Sequence, residues 1–125
     1  MTTWNLEGMK HHLLICNGGS CMRNQGEQVT QAIRDEIARH AGDALIHTTR
    51  TRCNGRCEDA CVVIHYPKGV WYRKVSPDTG RRIVNGLLSS GDSLKEHVSY
   101  TYENKLAAAP ETPRGILKNQ IKAEE

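Results

Sequence analysis

Short apolar runs and one long amphipathic stretch organise the chain between residues 11 and 91. His12-Leu13-Leu14-Ile15-Cys16 is an apolar run closed by Asn17-Gly18-Gly19, which predicts a buried strand whose last residue presents a thiol at its carboxyl end. From Gly26 the period lengthens. Val29, Ala32, Ile33, Glu36, Ile37 and His40 recur at three- and four-residue steps, which predicts a helix with a narrow apolar stripe, capped by Gly42. Residues 44–49 are β-prone and follow directly, so strand, helix and strand make a parallel βαβ unit. Parallel strands share a carboxyl edge, so the segments leaving both strands are expected at one end of the sheet. Residues 61–66 predict a third strand, Pro67-Lys68-Gly69 a turn, and residues 70–73 the strand that completes a hairpin. Ser76-Pro77-Asp78 opens a second helix, with Ile83, Val84, Leu87 and Leu88 toward the sheet.

Gly91 closes the folded part in this reading. Beyond it, Leu94, Val98, Tyr100, Tyr102 and Leu106 leave room for one further short element. From Pro110 to Glu125 the chain is polar and is expected to be disordered, with Ile116, Leu117 and Ile121 at helical spacing suited to folding against a partner. The division is a lead-in over 1–10, one domain over 11–91, and a polar C-terminal tail over 92–125, partly disordered or partner-binding.

Composition narrows the class. At 125 residues with 38% hydrophobic content and no phenylalanine, the chain has material for a single core. No apolar run approaches the roughly 18 residues of a membrane span, and residues 1–10 lack a secretory pattern, so a cytoplasmic protein is expected. A formal charge of +3 gives no argument for a nucleic-acid partner. All 5 cysteines lie in two short segments, and clustered cysteines in a reducing compartment bind metal or do redox chemistry more often than they form structural disulfides. Arg50, Arg52 and Arg56 surround the second segment, either to offset an anionic thiolate centre or as a solvated basic loop.

Cys16-x4-Cys21 and Cys53-x3-Cys57 make a complete ligand set for a two-iron, two-sulfide cluster or, less naturally, for tetrahedral zinc, which prefers tighter knuckles. Gly18, Gly19 and Gly55 let backbone N–H groups approach the sulfurs. Two other readings stand beside the electron carrier. A thiol-disulfide protein on a thioredoxin-like scaffold lacks the Cys-x2-Cys pair it needs at a strand-to-helix junction, although Cys57 and Cys61 offer a substitute pair. A zinc or metal-binding module has His11, His12, His40, His47, His65 and His97 to draw on, without a ligand-like spacing among them. Neither a nucleophile elbow nor a phosphate loop is present, so an enzyme is not expected.

The Cys-x4-Cys pair, then Cys53-Asn54-Gly55-Arg56-Cys57, then Val62 to Tyr72 with its YP-x-G-V-W-Y hairpin, resemble the thioredoxin-like [2Fe-2S] ferredoxin family. That family includes the small iron–sulfur subunit of respiratory complex I and of NAD-linked hydrogenases. The resemblance spans about residues 11–91. It implies an α/β thioredoxin-like ferredoxin fold, with a mixed four-stranded sheet packed with two main helices, and a homodimer. It also implies Cys16, Cys21, Cys53 and Cys57 as cluster ligands, one-electron transfer rather than catalysis, and a redox partner protein, either a reductase or an electron-accepting enzyme. All-cysteine ligation sets the potential on the order of hundreds of millivolts negative. The sequence departs from the pattern at Ala60-Cys61, where the family carries Gly-Pro. Cys61 is thereby an inert core thiol, an alternative ligand or a reactive thiol. The compact size and the Cys53, Cys57, Cys61 array also resemble a small ferredoxin-like protein associated with cobalamin biosynthesis.

Overall fold

Leu13 and Ile15 are fully buried and alternate with half-buried His12 and Leu14 along β1 (His11–Cys16), so one face of this strand is core. The computed structural model describes residues 2–89 and 94–118. β2 (Ile46–Thr51) runs parallel to β1, with His11 opposite Ile46 and Cys16 opposite Thr51. The expected βαβ unit is therefore formed, and both cysteine segments leave the sheet at the same edge.

β3 (Val63–Tyr66) and β4 (Val70–Tyr72) form the expected antiparallel hairpin, and β3 pairs antiparallel with β1. The sheet, however, has six strands in the order β2-β1-β3-β4-β5-β6, not four. The additional strands are β5 (Val98–Glu103) and β6 (Lys105–Ala108). Val98, Tyr100, Thr101 and Tyr102 suit a pleated surface, and Asn104 takes the positive φ of +75° that the tight turn between the strands requires. Pairing of β5 on β4 also satisfies backbone groups that a four-stranded sheet would leave open at its edge.

Val29, Ile33 and Ile37 are the buried stripe of α2 (Gly26–Arg39), as the periodicity predicts. The helix stops one residue earlier than a Gly42 cap implies. Ala41 takes the left-handed conformation at φ +53°, and the Gly42 N–H closes onto the Ile37 carbonyl at 2.8 Å. α3 (Pro77–Leu88) starts at Ser76, whose hydroxyl accepts the Thr79 N–H at 3.1 Å. It lies close against α2 because Gly80 has no side chain: a Cβ there would meet Ile33 Cγ1 at 2.9 Å. Leu13, Ile15, Ile33, Val63, Ile83 and Val84 belong to one core cluster shared by the helices and the sheet.

Residues 109–113 are docked rather than loose. The Ala109 N–H and the Thr112 hydroxyl both donate to the Ser99 carbonyl, at 2.8 and 3.0 Å, and Thr112 is buried. The Pro113 carbonyl accepts from Arg56 at 2.6 Å, which ties this part of the expected tail to the second cysteine segment. Ile116 and Leu117 are exposed. Gly91 and Ile121 lie outside the described residues.

Candidate metal centre

Cys16 ends β1, and Cys21 lies two residues into α1 (Gly19–Arg23), a short helix entered immediately after Gly18. Cys53 and Cys57 occupy the loop that leaves β2. Because Cys16 and Thr51 share a rung of the parallel pair, these segments meet, and all four thiols line one cleft together with Gly18 and Val62. The cleft holds about 200 Å³ of space between atoms, counted out to its mouth. Cys16 and Cys21 are buried at its floor, whereas Cys53 and Cys57 are exposed at its rim.

The rim sulfurs stand 3.8 Å apart. Two thiolates on one tetrahedral metal atom, with metal–sulfur bonds of about 2.3 Å, are separated by about 3.8 Å. The pair is therefore spaced as two ligands of a single metal atom. Among the described residues no group of three or more His, Cys, Asp or Glu side chains converges tightly enough to hold one ion. The thiols are instead divided between floor and rim, which suits a centre with two metal atoms better than a mononuclear zinc.

At the floor, the neighbouring Cys61 side chain and burial push the Cys21 thiol up, and Cys61 is pulled down, chiefly by Cys21. Cys16 Sγ lies 3.6 Å from the Arg52 carbonyl, and Cys61 Sγ lies 3.9 Å from the Cys16 carbonyl. The peptide bond between Ala60 and Cys61 is cis. Cys61 is 1% exposed and sits behind the cleft rather than in its lining.

Backbone proximity holds the two loops together. A Cβ on Gly18 would lie 2.7 Å from Cys53 Cα, so only glycine permits the approach. Gly55, at φ +77°, donates its N–H to Cys53 Sγ at 3.3 Å, as the glycine-rich loop suggests.

The three arginines do not act alike. Arg50 pairs with Glu27 and donates to Asn17 Oδ1 at 2.9 Å. Arg56 pairs with buried Asp59 at 2.8 Å, stacks 5.1 Å above the Tyr100 ring and donates to the Pro113 carbonyl. Arg52 alone is exposed without a side-chain partner among the described residues, so the expected positive rim reduces to one unpaired cation. Asp59, Tyr100 and Pro113 support the rim loop, a role that the sequence does not assign them. The three-residue spacing of Arg56 and Asp59 was the available signal for the first of them.

The histidines stand apart from the thiols. His11 and His65 meet at 2.9 Å, and the His12 and His47 rings at 5.1 Å, at the amino end of β1.

The profile of the thioredoxin-like [2Fe-2S] ferredoxins matches residues 3–88, well over half of the chain. The chain belongs to that family. A Priestia megaterium protein whose name assigns it, provisionally, as a 2Fe-2S ferredoxin is 53% identical over 116 residues, covering 93% of this chain and 91% of its own. A 2Fe-2S ferredoxin of Clostridium pasteurianum is 28% identical over 94 residues, covering 69% of this chain and 92% of its own. The solved structure of a thioredoxin-like [2Fe-2S] ferredoxin from Aquifex aeolicus superposes with a TM-score of 0.69 at 27% identity, over 76% of this chain and 94% of that one. The ferredoxin is thus an electron-transfer protein rather than an enzyme, with a [2Fe-2S] cluster implied by its family. Among the described residues no helix is long and apolar enough to cross a membrane.

Proposed function

We propose that Cys16, Cys21, Cys53 and Cys57 hold the cluster of this ferredoxin, and that electrons enter and leave at the Cys53–Cys57 rim. The observation that carries this reading is the 3.8 Å separation of the rim thiols above a floor that contains two further thiols. When bound, the cluster supplies a one-electron oxidation-reduction couple. The chain's own residues do the rest. Burial of Cys16 and Cys21 keeps water from the floor, while the Gly55 N–H supplies a hydrogen bond to Cys53 that offsets negative charge on its sulfur. Exposure of Cys53 and Cys57 leaves the rim open to a redox partner, a reductase or an electron-accepting enzyme, with Arg52 beside it as a docking charge.

The finer readings are a cytoplasmic homodimer and service to cobalamin biosynthesis. What supports the cytoplasmic reading is the clustering of all five cysteines in two short segments, a pattern more common in reducing compartments. The dimer rests on the family resemblance, and the pathway only on the compact size and the Cys53, Cys57, Cys61 array. Sedimentation of the holoprotein tests the dimer, and a cobalamin requirement in a deletion strain tests the pathway. For the ligand assignment, anaerobically purified protein is expected to be red-brown, to bleach with dithionite and to give an EPR signal on reduction. Colourless protein containing zinc contradicts it.

A further inference from the structure

Parallel pairing of β1 and β2 brings together two histidines that no sequence spacing relates. His12 and His47 are partners in the register, and their ring centres stand 5.1 Å apart at a tilt of 45°. On the same face of the sheet, Thr49 Oγ1 lies 2.7 Å from His12 Nε2. His12 and His47 are half-buried and border a cavity lined also by Leu6, Lys10, Tyr66 and Pro67. His11 borders it too, but its Nδ1 is engaged with Nε2 of buried His65 at 2.9 Å.

We propose that His12 and His47, with Thr49 behind His12, bind one divalent transition-metal ion of the zinc type at the amino ends of β1 and β2. Neutral imidazole is the commonest side-chain metal ligand, and it suits zinc, copper, iron and nickel rather than magnesium or calcium. Two imidazoles bound to one tetrahedral metal atom through bonds of about 2.1 Å hold their ring centres about 5 Å apart. The register therefore sets the pair at the separation that a shared ion needs. Burial, followed by the charge of His47, holds the His12 imidazole below its ordinary pKa, so its lone pair is unprotonated near neutral pH. With Nε2–H donating to Thr49, Nδ1 is the ligating nitrogen. Such an outer hydrogen bond fixes the tautomer and the ring orientation, as it does at histidine metal sites generally. No third His, Cys, Asp or Glu side chain joins the pair among the described residues, so water completes the coordination and the ion is exchangeable. Lys10 on the cavity wall opposes the ion's charge, which makes the site weaker than a structural zinc site. His12 lies four residues before Cys16 along β1, about 13 Å from it, so the ion and the thiols occupy separate sites.

The test is titration of the wild-type holoprotein with zinc chloride, with the imidazole C–H resonances followed by NMR and the cluster by its visible absorption. One equivalent is expected to shift the His12 and His47 resonances to saturation while His97 and the cluster absorption stay unchanged. His12→Gln and His47→Gln are each expected to abolish saturation. Thr49→Val, which keeps the strand but removes the outer hydrogen bond, is expected to weaken binding about tenfold. His11→Gln is expected to bind as wild type does. No saturable shift up to millimolar zinc overturns the proposal, as does binding that survives loss of His12 or His47, or that is indifferent to Thr49→Val. Bleaching of the cluster in step with binding also overturns it, because the zinc is then taken by the thiols.

Discussion

Gly18 and Cys53 touch backbone to backbone: a Cβ added to Gly18 would lie 2.7 Å from the Cα of Cys53 and 2.9 Å from its N. This contact joins the loop after β1 to the loop after β2, and so brings the two halves of the thiol set together. Backbone cannot yield as a flexible side chain can. Gly18→Ala is expected to cost about 1–3 kcal/mol, as overpacking does, and to lower the iron content of purified protein. Gly19→Ala is the control, because its nearest neighbour is the Arg23 guanidinium at 3.4 Å. Equal iron in both variants would show that the contact does not shape the centre.

Arg56 and Asp59 form a mostly buried ion pair within the rim loop, with Asp59 only 1% exposed. Removing the arginine strands a buried carboxylate, which costs roughly 3–5 kcal/mol. Arg56→Ala is therefore expected to shift the urea midpoint strongly downward, and Arg50→Ala, which breaks an exposed pair with Glu27, to leave it nearly unchanged. Comparable effects of the two variants would contradict the division of roles among the arginines.

The docked segment 109–113 gives Arg56 one of its acceptors, the Pro113 carbonyl at 2.6 Å. A chain ending at Ala108 is expected to retain its sheet, since β6 ends there, but to lose iron to a chelator severalfold faster than the full chain. Unchanged release would mean that this segment does not steady the rim loop.

The sequence carried most of the site because its determinants are local. An apolar run ending in Cys16, a 3.6-residue stripe from Val29 to Ile37 and a β-prone segment before Cys53 imply a parallel βαβ unit, and parallel strands leave the sheet at one edge. What was not legible depends on long-range packing. Val98, Tyr100 and Tyr102 form a strand because the β4 edge is there to receive them, and Thr112 is buried because Ser99 offers its carbonyl. The helix carrying Cys21 spans five residues, too few for a periodic signal. The burial of Cys61 outside the cleft lining, with its sulfur against the Cys16 carbonyl, is a matter of long-range packing that no spacing rule encodes.

Acid sensitivity tests the far end of the sheet. His65 is buried, and burial, followed by the charges of His11 and Lys68, holds its pKa down to about 4. The unfolded chain binds this proton near pH 6.5. Stability is therefore fully present above about pH 6.5 and is lost as pH falls toward about 4, by on the order of 3 kcal/mol at the limit. His65→Gln is expected to flatten the pH dependence of the urea midpoint across this window. A variant that keeps the wild-type slope would place the titration elsewhere.

The most direct test of the account is the iron and acid-labile sulfide content of anaerobically purified wild-type protein beside its five single cysteine-to-serine variants. Equal amounts of iron and sulfide are expected in wild type and in Cys61→Ser. Substantial loss is expected in Cys16→Ser, Cys21→Ser, Cys53→Ser and Cys57→Ser. A wild-type protein containing zinc without sulfide, or a Cys61→Ser protein that loses its iron while one of the other four variants keeps it, would contradict the account.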